Sequence, residues 1–462
     1  MVKKKKTMEE LLEEALVPEE TQPYHVPKNW VWVRFASLVK ESKLGLVRSS
    51  KQQSDINPYS YLKMNNITTD GQLDLCSLVR VNAEDKEISV YELRDGDFLF
   101  NTRNSIELVG KSTIYSKTIE DPVLFNNNIL RVRFLKHFTP EIINYYFISP
   151  HGKKSLSDVK SGTTSVAAIY AKNLNTVPIP IPPIHEQKRI AEKVERLLSK
   201  VDEAKQLIEE AKESFELRRA AILDKAFRGE LTRETGLQNR SKSGDVYSIP
   251  NDWEWKLFKE IAKVKSNLVK PYDYLNHPLI APDNIGKGNG QLIGYQTVQE
   301  ANVKSAKHLF YKGQILYSKI RPYLSKVTIA EFDGLCSADM YPIETDINND
   351  YLFWYMLSPF FVEKASTAGS RSVLPKINQK ELGEIPVPVA SKNSQQKVVE
   401  KIEKALLKEK IMLESLGGAY RQIEMLQQSI LSKAFKGELG TNDPSEENAI
   451  ELLKEVLQQQ VK

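Results

Sequence analysis

The sequence predicts an α+β protein in which two mixed α/β globular copies are separated by a long antiparallel two-helix coiled coil, with a pseudo-two-fold internal repeat. Three observations lead to this prediction. The chain of 462 residues repeats itself once, each repeat ends in a sustained heptad pattern, and the preceding part mixes strand-like runs with one aromatic helical run. The chain is also too long for one ordinary core, so several folding units are expected.

The internal repeat is defined by matching segments whose separation changes along the chain. Residues 26–32 (VPKNWVW) match residues 249–255 (IPNDWEW) 223 positions later, whereas residues 174–180 match residues 382–388 at an offset of 208. The offset of 208 then holds to the end of the repeat, over 58 positions. Loops in the globular parts have therefore tolerated insertions, while the last part of each copy has kept its length.

That last part carries a heptad seam, with positions spaced alternately four and three residues apart. Eighteen of twenty seam positions are apolar, and charged residues lie between them. A 3.5-residue period over more than four heptads is typical of a coiled coil. The seam residues singled out are Ile190, Val194, Leu197, Val201, Ile208, Phe215 and Ile222 in the first helix, and Val398, Ile402, Met412, Leu416, Ile423, Leu426 and Ile430 in the second.

Each helix should run for about 44 residues, or about 66 Å, and needs a partner. The helix of the other copy is the obvious partner, and pairing between two molecules through the same seam is the alternative. The first helix ends shortly before the second copy begins, so the second copy should lie near that end of the helix. If this copy is compact, the second helix also starts there and must run back antiparallel to the first. Gly417 and Gly418 predict a bend or a close contact within the second helix.

The predicted organisation has seven parts. These are an N-terminal helical segment (1–25), a first globular copy (26–183), a first long helix (184–231), a linker (232–248), a second globular copy (249–390), a second long helix (391–439) and a C-terminal helical tail (440–462). Strand-like runs cover 98–101, 129–134 and 313–318, and aromatic helical runs cover 142–149 and 351–358. The tryptophan pair that opens each copy is more typical of a core anchor than of a platform for stacking bases.

Composition excludes several classes of protein. Hydrophobic content of 41% and charged content of 27% are typical of soluble globular chains, and the lack of a run of about 18 apolar residues predicts a cytoplasmic protein without a membrane span. Cys76 and Cys336 are far apart and the six histidines are scattered, so neither a metal site nor a disulfide framework is expected. The sequence has no methyltransferase or phosphate-cradling motif, which predicts a chain with no catalytic centre.

Positive charge is concentrated locally, although 65 basic and 60 acidic residues leave a net charge of only +5. Residues 301–330 contain six Lys or Arg and no Asp or Glu. Such a patch can neutralise phosphates, and a solvated lysine-rich face is the alternative. A looser set in the first copy comprises Arg131, Arg133, Lys136, Lys153, Lys154 and Lys160.

Four motifs resemble those of the specificity subunits of type I restriction-modification enzymes, and the resemblance covers nearly the whole chain. They are SGTT at 161–164, AAIYAKNL at 167–174, VPIPIPPIHEQKRI at 177–190 and AFRGEL at 226–231. The second copy departs from this pattern, because AGSRS at 368–372 replaces the first motif. Transfer of individual residue roles to the second copy is therefore weaker than the assignment of the domain.

The resemblance implies two target recognition domains, each reading one half of a split double-stranded DNA target, with the helices as a spacer between them. It also implies docking of two modification subunits that bind S-adenosylmethionine and methylate adenine N6. Restriction subunits that use ATP and Mg may join them in host defence. No cofactor is expected on this chain itself.

Candidate DNA contacts follow from residue type and placement, because forked Arg donors and small hydroxyls suit phosphates and guanine edges. Ordinary surface polarity is the alternative for each of them. The candidates are Arg103, Asn104, Lys111, Lys160, Ser161, Thr163 and Thr164 in the first copy, and Lys319, Arg321, Lys326, Ser370 and Arg371 in the second.

The main rival function is a coiled-coil adaptor whose end domains bind proteins without sequence-specific DNA binding. The acid-free basic window and the duplicated globular copies argue against it. A fragment of a fused enzyme is a second rival, and it would require the methyltransferase motifs that this sequence lacks.

Overall fold

The computed structural model of the chain describes residues 6–162, 166–232, 246–368 and 375–461. Its contacts divide the chain into two compact units. The first unit combines the residues up to 206 with those from 419 onward, and the second comprises residues 207–418. Both units are mixed α/β, which confirms the predicted class.

The N-terminal segment and the first copy together contain five short α-helices and twelve strands within the described ranges. The helices are α1 (Met8–Ala15), α2 (Asp85–Tyr91), α3 (Pro140–Ile148), α4 (Pro150–Asp158) and α5 (Ala171–Leu174). The strands are β1 (Val31–Arg34), β2 (Val39–Leu44), β3 (Tyr59–Leu62), β4 (Val79–Val81), β5 (Asp97–Asn101), β6 (Arg103–Asn104), β7 (Ser112–Tyr115), β8 (Val123–Phe125), β9 (Ile129–Phe134), β10 (Ser161–Gly162), β11 (Ala167–Ala168) and β12 (Pro178–Ile181). They form sheets in the orders β2-β9-β5-β7, β4-β3-β8, β10-β11-β6 and β1-β12.

The first long helix, α6 (Ile184–Phe227), leads to the second copy. That copy contains β13 (Glu254–Leu257), α7 (Phe258–Ile261), β14 (Ala262–Val264), β15 (Leu268–Val269), β16 (Pro278–Ile280), β17 (Gln296–Thr297), β18 (Lys307–Phe310), β19 (Ile315–Ser318), β20 (Val327–Ile329), β21 (Gly334–Cys336), β22 (Met340–Thr345), α8 (Asn349–Met356), α9 (Pro359–Ala368), α10 (Gln379–Gly383) and β23 (Pro386–Val389). Its sheets have the orders β14-β22-β19-β20, β15-β18-β21-β16-β17 and β13-β23. The second long helix, α11 (Lys392–Phe435), and a terminal helix, α12 (Ala449–Val461), complete the chain.

A two-stranded ladder closes each copy at the start of its long helix. β1 pairs with β12 so that Trp32 lies opposite Pro180, and β13 pairs with β23 so that Trp255 lies opposite Pro388. The tryptophan segment that opens each copy is therefore held against the proline-rich segment that precedes the helix. Trp30, Trp32 and Trp253 are buried, so none of the three is a platform for stacking bases.

The core of the first unit receives both the beginning of α6 and the end of α11. Ile190 and Val194 of α6 pack in the same cluster as Leu431 and Phe435 of α11. The ring of Phe435 lies 5.2 Å from that of Tyr146 on α3, measured between centroids. Both long helices are thus anchored in this unit by apolar side chains.

The second unit repeats this arrangement with the helices exchanged. Val398 and Ile402, near the beginning of α11, share a cluster with Phe227 at the end of α6. Phe227 lies between Tyr351 and Tyr355 of α8, with a centroid distance of 5.1 Å to each ring. The two long helices are each 44 residues long, so the equal lengths of the repeated sequences are matched by equal helices.

The buried positions on the long helices agree only in part with the predicted heptad seam. A strict heptad drifts by about 20° per seven residues on a straight α-helix, so buried positions move one residue along after a few turns. Met412 and Leu426, predicted in the seam, are 43% and 54% exposed, and their prediction is wrong. Leu197, Ile222, Leu416 and Ile423 are half-buried. The buried positions include Ile190, Val194, Leu198, Val201, Ile208, Phe215, Leu223 and Ala226 on α6, and Val398, Ile402, Leu406, Glu409, Gln427, Ile430, Leu431 and Ala434 on α11.

Polar contacts join the two long helices inside each unit. In the first unit, Lys205 Nζ on α6 donates to Gln427 Oε1 on α11 at 2.7 Å, and Lys193 Nζ donates to the carbonyl of Leu439, just after the end of α11, at 2.7 Å. Lys193 comes before Lys205 in the chain, whereas its partner Leu439 comes after Gln427, so the two segments run antiparallel within this unit. In the second unit, Arg219 Nη2 donates to Glu409 Oε1 at 2.8 Å.

The glycine pair at Gly417 and Gly418 does not interrupt α11. A Cβ added at either position would meet no described atom within 4 Å. The close contact that the sequence suggested there is therefore absent from the described part of the chain, and the predicted bend stays a prediction.

Candidate nucleic-acid interface

In the first copy, two loops that are distant in sequence lie side by side. β11 pairs with both β10 and β6, so Ala168 lies opposite Ser161 on one side and Arg103 on the other. Lys160 Nζ also donates to the carbonyl of Ile106 at 3.0 Å. The structure thus brings together Arg103, Asn104, Lys160 and Ser161, which we call the first loop surface. Thr163 and Thr164 lie outside the described residues.

In the second copy, the loop at 319–326 occupies a comparable position. Ile320 forms a bridge with Lys376, and the backbone N–H of Arg321 donates to the carbonyl of Pro375 at 2.8 Å. We call residues 319–326 the second loop surface. Ser370 and Arg371, the other candidates in this copy, lie outside the described residues.

Two of the predicted contacts present free guanidinium groups. Arg103 and Arg321 are both exposed, and neither guanidinium makes a hydrogen bond or ion pair with any residue that the structure describes. An exposed guanidinium with all five donors available is suited to forked bonds with a phosphate or a guanine edge. Each copy therefore offers one such arginine on its loop surface.

The matched lysines Lys111 and Lys326 have partners inside their own copies. Lys111 Nζ donates to the carbonyls of Met64, at 2.9 Å, and Ile67, while Lys326 Nζ donates to the carbonyl of Pro282 at 2.8 Å. Burial lowers the pKa of the Lys111 ammonium. Both lysines thus donate to the carbonyl of a short turn, which gives a structural reason for their match in the sequence repeat. A DNA contact by either lysine stays a prediction.

Other side chains of the candidate contacts and of the looser basic set also form hydrogen bonds or ion pairs within their own copies. Lys319 Nζ donates to the carbonyl of Ala338 at 2.5 Å, and the Asn104 side chain caps its own turn by accepting from the N–H of Ser105 at 2.9 Å. Arg133 pairs with buried Asp97 at 2.6 Å, and Arg131 is buried and pairs with Glu41. The charge count of the first copy placed Arg131 in a positive surface, and this prediction is wrong because the side chain is buried.

Two residues of the HEQ motif in the first turn of α6, Glu186 and Gln187, have structural roles. Glu186 is fully buried and accepts hydrogen bonds from Trp30, Thr441 and Asn442. The next residue, Gln187, accepts from the backbone N–H of Thr139 at 3.1 Å. Its counterpart in the second copy, Gln395, accepts from the backbone N–H of Asn348 at 2.8 Å. The repeat offset of 208 aligns the two glutamines and could have revealed this shared role.

Features of other functional classes are absent from the described residues. None of their helices is long and apolar enough to cross a membrane. They contain no group of three His, Cys, Asp or Glu side chains placed to hold a metal ion. Cys76 is exposed and Cys336 is buried, and both are free thiols.

Comparison with known families defines the class of protein. The family described as the type I restriction modification DNA specificity domain matches the chain twice, over residues 27–213 and 250–415. Each match covers one globular copy together with the first part of its long helix. The chain therefore belongs to this family of specificity subunits, the non-catalytic components of type I restriction-modification systems.

Individual relatives agree with this assignment. The chain is 38% identical over 345 residues to the type I restriction enzyme EcoDI specificity subunit of Escherichia coli, which covers 71% of this chain and 74% of that protein. It is 22% identical over 404 residues to the type I restriction enzyme MjaVIII specificity subunit of Methanocaldococcus jannaschii, covering 83% and 88% of the two chains. The resemblance stated from the sequence motifs is thereby confirmed.

A solved structure supports the fold. It is described as the structural basis underlying complex assembly and conformational transition of the type I R-M system, and it aligns with 90% of this chain and 100% of its own at a TM-score of 0.63. The two sequences are 20% identical, so this likeness establishes the fold alone.

Proposed function

We propose that this specificity subunit recognises a bipartite double-stranded DNA target, with each globular copy acting as the target recognition domain for one half. The observation that carries the proposal is the duplication of an exposed arginine on a loop surface, Arg103 in one copy and Arg321 in the other, each without a side-chain partner among the described residues. Both copies lie within the DNA specificity domain matches. A protein with two similar readers naturally suits a target with two separated halves.

We further infer that α6 and α11 form an antiparallel two-helix coiled coil that sets the gap between the half-sites. The equal length of the helices supports this inference. So does the exchange of helix ends between the units, since each helix begins in the core that holds its own copy and ends in the core that holds the other. Copies joined in this way are related by an approximate two-fold axis and would present inverted half-sites.

We propose that two adenine-N6 methyltransferase subunits dock on the chain, and that ATP-dependent restriction subunits can join the assembly. Two similar copies offer two similar docking positions, which supports the proposed number of two methyltransferase subunits. On this proposal the chain binds no cofactor of its own. S-adenosylmethionine belongs to the modification subunits, and ATP and Mg²⁺ belong to the restriction subunits.

Methylome sequencing tests the proposed function. A host that lacks the system would express the chain together with the methyltransferase subunit of that system, and control hosts would express each alone. We expect adenine methylation within a gapped motif only when both are present. Replacing residues 249–390 with those of a relative should change one half of the motif and leave the other intact.

The adaptor alternative predicts a different outcome. An adaptor without sequence preference would leave the methylome of the host unchanged, and the purified chain would bind DNA without regard to sequence. A contiguous motif without a gap would contradict the assignment of one half-site to each copy.

A further inference from the structure

The second loop surface contains a strained turn. A 3-10 turn at Pro322–Leu324 is flanked by Arg321 and Ser325, which both adopt the left-handed conformation with φ of 48° and 46°. Residues other than glycine rarely adopt this conformation, and each instance costs about 1 to 3 kcal/mol, which the surrounding structure must offset. Strain of this kind clusters where a backbone must hold a side chain in one position.

The turn is held at both ends by contacts within the second unit. At its start, Lys319 Nζ donates to the carbonyl of Ala338, and at its end Lys326 Nζ donates to the carbonyl of Pro282. Pro322 and Ser325 are buried, and Ser325 Oγ donates to the carbonyl of Met356 at 3.4 Å. The backbone of the turn is therefore fixed, and its two lysines are occupied in fixing it.

Two side chains project from this fixed backbone. Arg321 is exposed and unpaired among the described residues, and Tyr323, two positions later, is 50% exposed. Residues 301–330 contain no Asp or Glu, and the carboxylates of Asp283 and Asp339, which lie close to the turn, pair with Lys326 and Lys376. An exposed guanidinium and a half-exposed aromatic ring two positions apart, with Pro322 and Ser325 buried beside them, form a small exposed tip.

We propose that Arg321 and Tyr323 are the base-reading tip of the second target recognition domain. Arg321 donates its forked N–H groups to O6 and N7 of a guanine in the major groove, which is the commonest specific contact of arginine with DNA. Tyr323 packs its ring against the neighbouring base. Lys319 and Lys326, although they are part of the same basic window, position the turn and do not read the sequence.

This inference rests on the proposed function and is tested after it. The motif of the unsubstituted chain is first determined by methylome sequencing, and absence of a motif would refute the proposed function itself. With the motif known, Arg321→Ala and Tyr323→Ala are compared with the parent chain. Tyr311→Ala is the matched control, because Tyr311 is 49% exposed in the same window but precedes β19, whereas the turn follows that strand.

We expect Arg321→Ala to relax one G·C position in the half-site of the second domain, with a loss of discrimination of roughly 5- to 150-fold. Tyr323→Ala should relax the adjacent position, and Tyr323→Phe should retain the preference of the parent. The other half-site, the melting temperature and the salt dependence of binding to a target duplex should be unchanged in all these variants. The control Tyr311→Ala should match the parent in every measurement.

Three results would overturn the proposal. An unchanged motif in both alanine variants would show that the tip does not read bases. A uniform loss of affinity for all duplexes, with a salt slope reduced by about 1, would make Arg321 a phosphate contact instead. A lowered melting temperature together with loss of all methylation would assign the two residues a structural role.

Discussion

The indole N–H of Trp30 donates a 2.7 Å hydrogen bond to the carboxylate of Glu186, and both side chains are buried. The same carboxylate accepts from Asn442 Nδ2 at 2.8 Å and from Thr441 Oγ1 at 3.3 Å. Glu186 thus ties the opening of the first copy, the start of α6 and the segment after α11 to one another. Burial raises the pKa of Glu186 above its ordinary value, although these hydrogen bonds oppose the shift.

Replacing Glu186 with alanine should lower the free energy of unfolding by about 2 to 4 kcal/mol, because three buried donors lose their acceptor. Glu186→Gln retains an oxygen for Trp30 and should cost about 1 kcal/mol or less. A pKa that is raised on folding means that protonation favours the folded state, and this stabilisation is lost as the pH rises above the ordinary glutamate value. Urea unfolding should show that the free energy of unfolding falls more between about pH 5 and about pH 8 in the parent than in Glu186→Gln. The same pH dependence in both proteins would contradict this account of Glu186.

The glycines that follow the long helices should not tolerate a side chain. Gly437 has φ of 72°, and a Cβ there would lie 2.3 Å from Cγ of Pro27. Gly437→Ala should therefore cost about 2 to 5 kcal/mol, combining backbone strain with a steric clash. Gly229→Ala should behave alike, since its Cβ would lie 2.2 Å from Cγ of Pro250.

Gly313 provides the control for that prediction. Its φ is 90°, but an added Cβ would meet no described atom within 4 Å. Gly313→Ala should thus show the strain alone, at about 1 kcal/mol. Denaturant unfolding measures all three variants, and equal losses would mean that the contacts with the prolines contribute nothing.

The ion pair between Arg219 and Glu409 should depend on both partners being present. The Glu409 side chain is 2% exposed, and its second oxygen has no hydrogen-bond partner among the described residues. Arg219→Met leaves a buried carboxylate without its counter-charge and should destabilise the protein by about 3 to 5 kcal/mol. The double variant Arg219→Met, Glu409→Leu should recover most of this loss. Denaturant unfolding tests this, with Lys454→Ala as the control, because it breaks an exposed pair and should cost under about 1 kcal/mol.

Arg103 and Lys111 should differ in what their replacement changes. Arg103→Ala should weaken binding to a target duplex while leaving the melting temperature unchanged, because its guanidinium has no internal partner among the described residues. Lys111→Met should instead lower stability by about 1 to 3 kcal/mol, because the carbonyls of Met64 and Ile67 lose their donor. Binding titrations at several salt concentrations separate the two roles. A salt slope reduced by about 1 in Lys111→Met, without a loss of stability, would show that this lysine contacts phosphate.

The length of the paired helices should set the gap in the target. Deleting seven residues from α6 alone should disrupt the fold, because buried positions on the two helices would no longer face one another. Deleting seven matched residues from both helices should shorten the recognised gap, as read from the methylome. If the shortened protein methylates a motif with the original gap, the helices do not act as a spacer.

Sequence reasoning succeeded where a pattern extends over many residues. The repeat predicted two similar copies, and the heptad positions predicted long helices at 184–231 and 391–439, where the structure has helices of equal length at Ile184–Phe227 and Lys392–Phe435. It failed in detail at Met412 and Leu426, which are exposed, whereas Gln427, next to Leu426, is buried. On a straight α-helix a strict heptad drifts by about 20° per seven residues, so the buried position can move by one residue along the helix.

The candidate interface was predicted only by residue type. Lys111 and Arg103 carry the same charge, but Lys111 donates to main-chain carbonyls. Because any residue can supply such a carbonyl, the sequence does not show which of the two side chains has an internal partner. The pairing of Arg103 with Ala168 involves strands of two residues, which are too short to show a periodic pattern. The left-handed conformation of Arg321 is likewise invisible in sequence, because this conformation favours glycine.

The first unit is assembled from two distant stretches of chain, whereas the second is one continuous stretch. During synthesis on a ribosome, residues 207–418 emerge together and can complete their core while the protein is still being made. The first core must wait until Leu431, Phe435 and Leu453 have been translated. A nascent product that stops short of these residues therefore leaves the earlier-made copy with an open apolar surface.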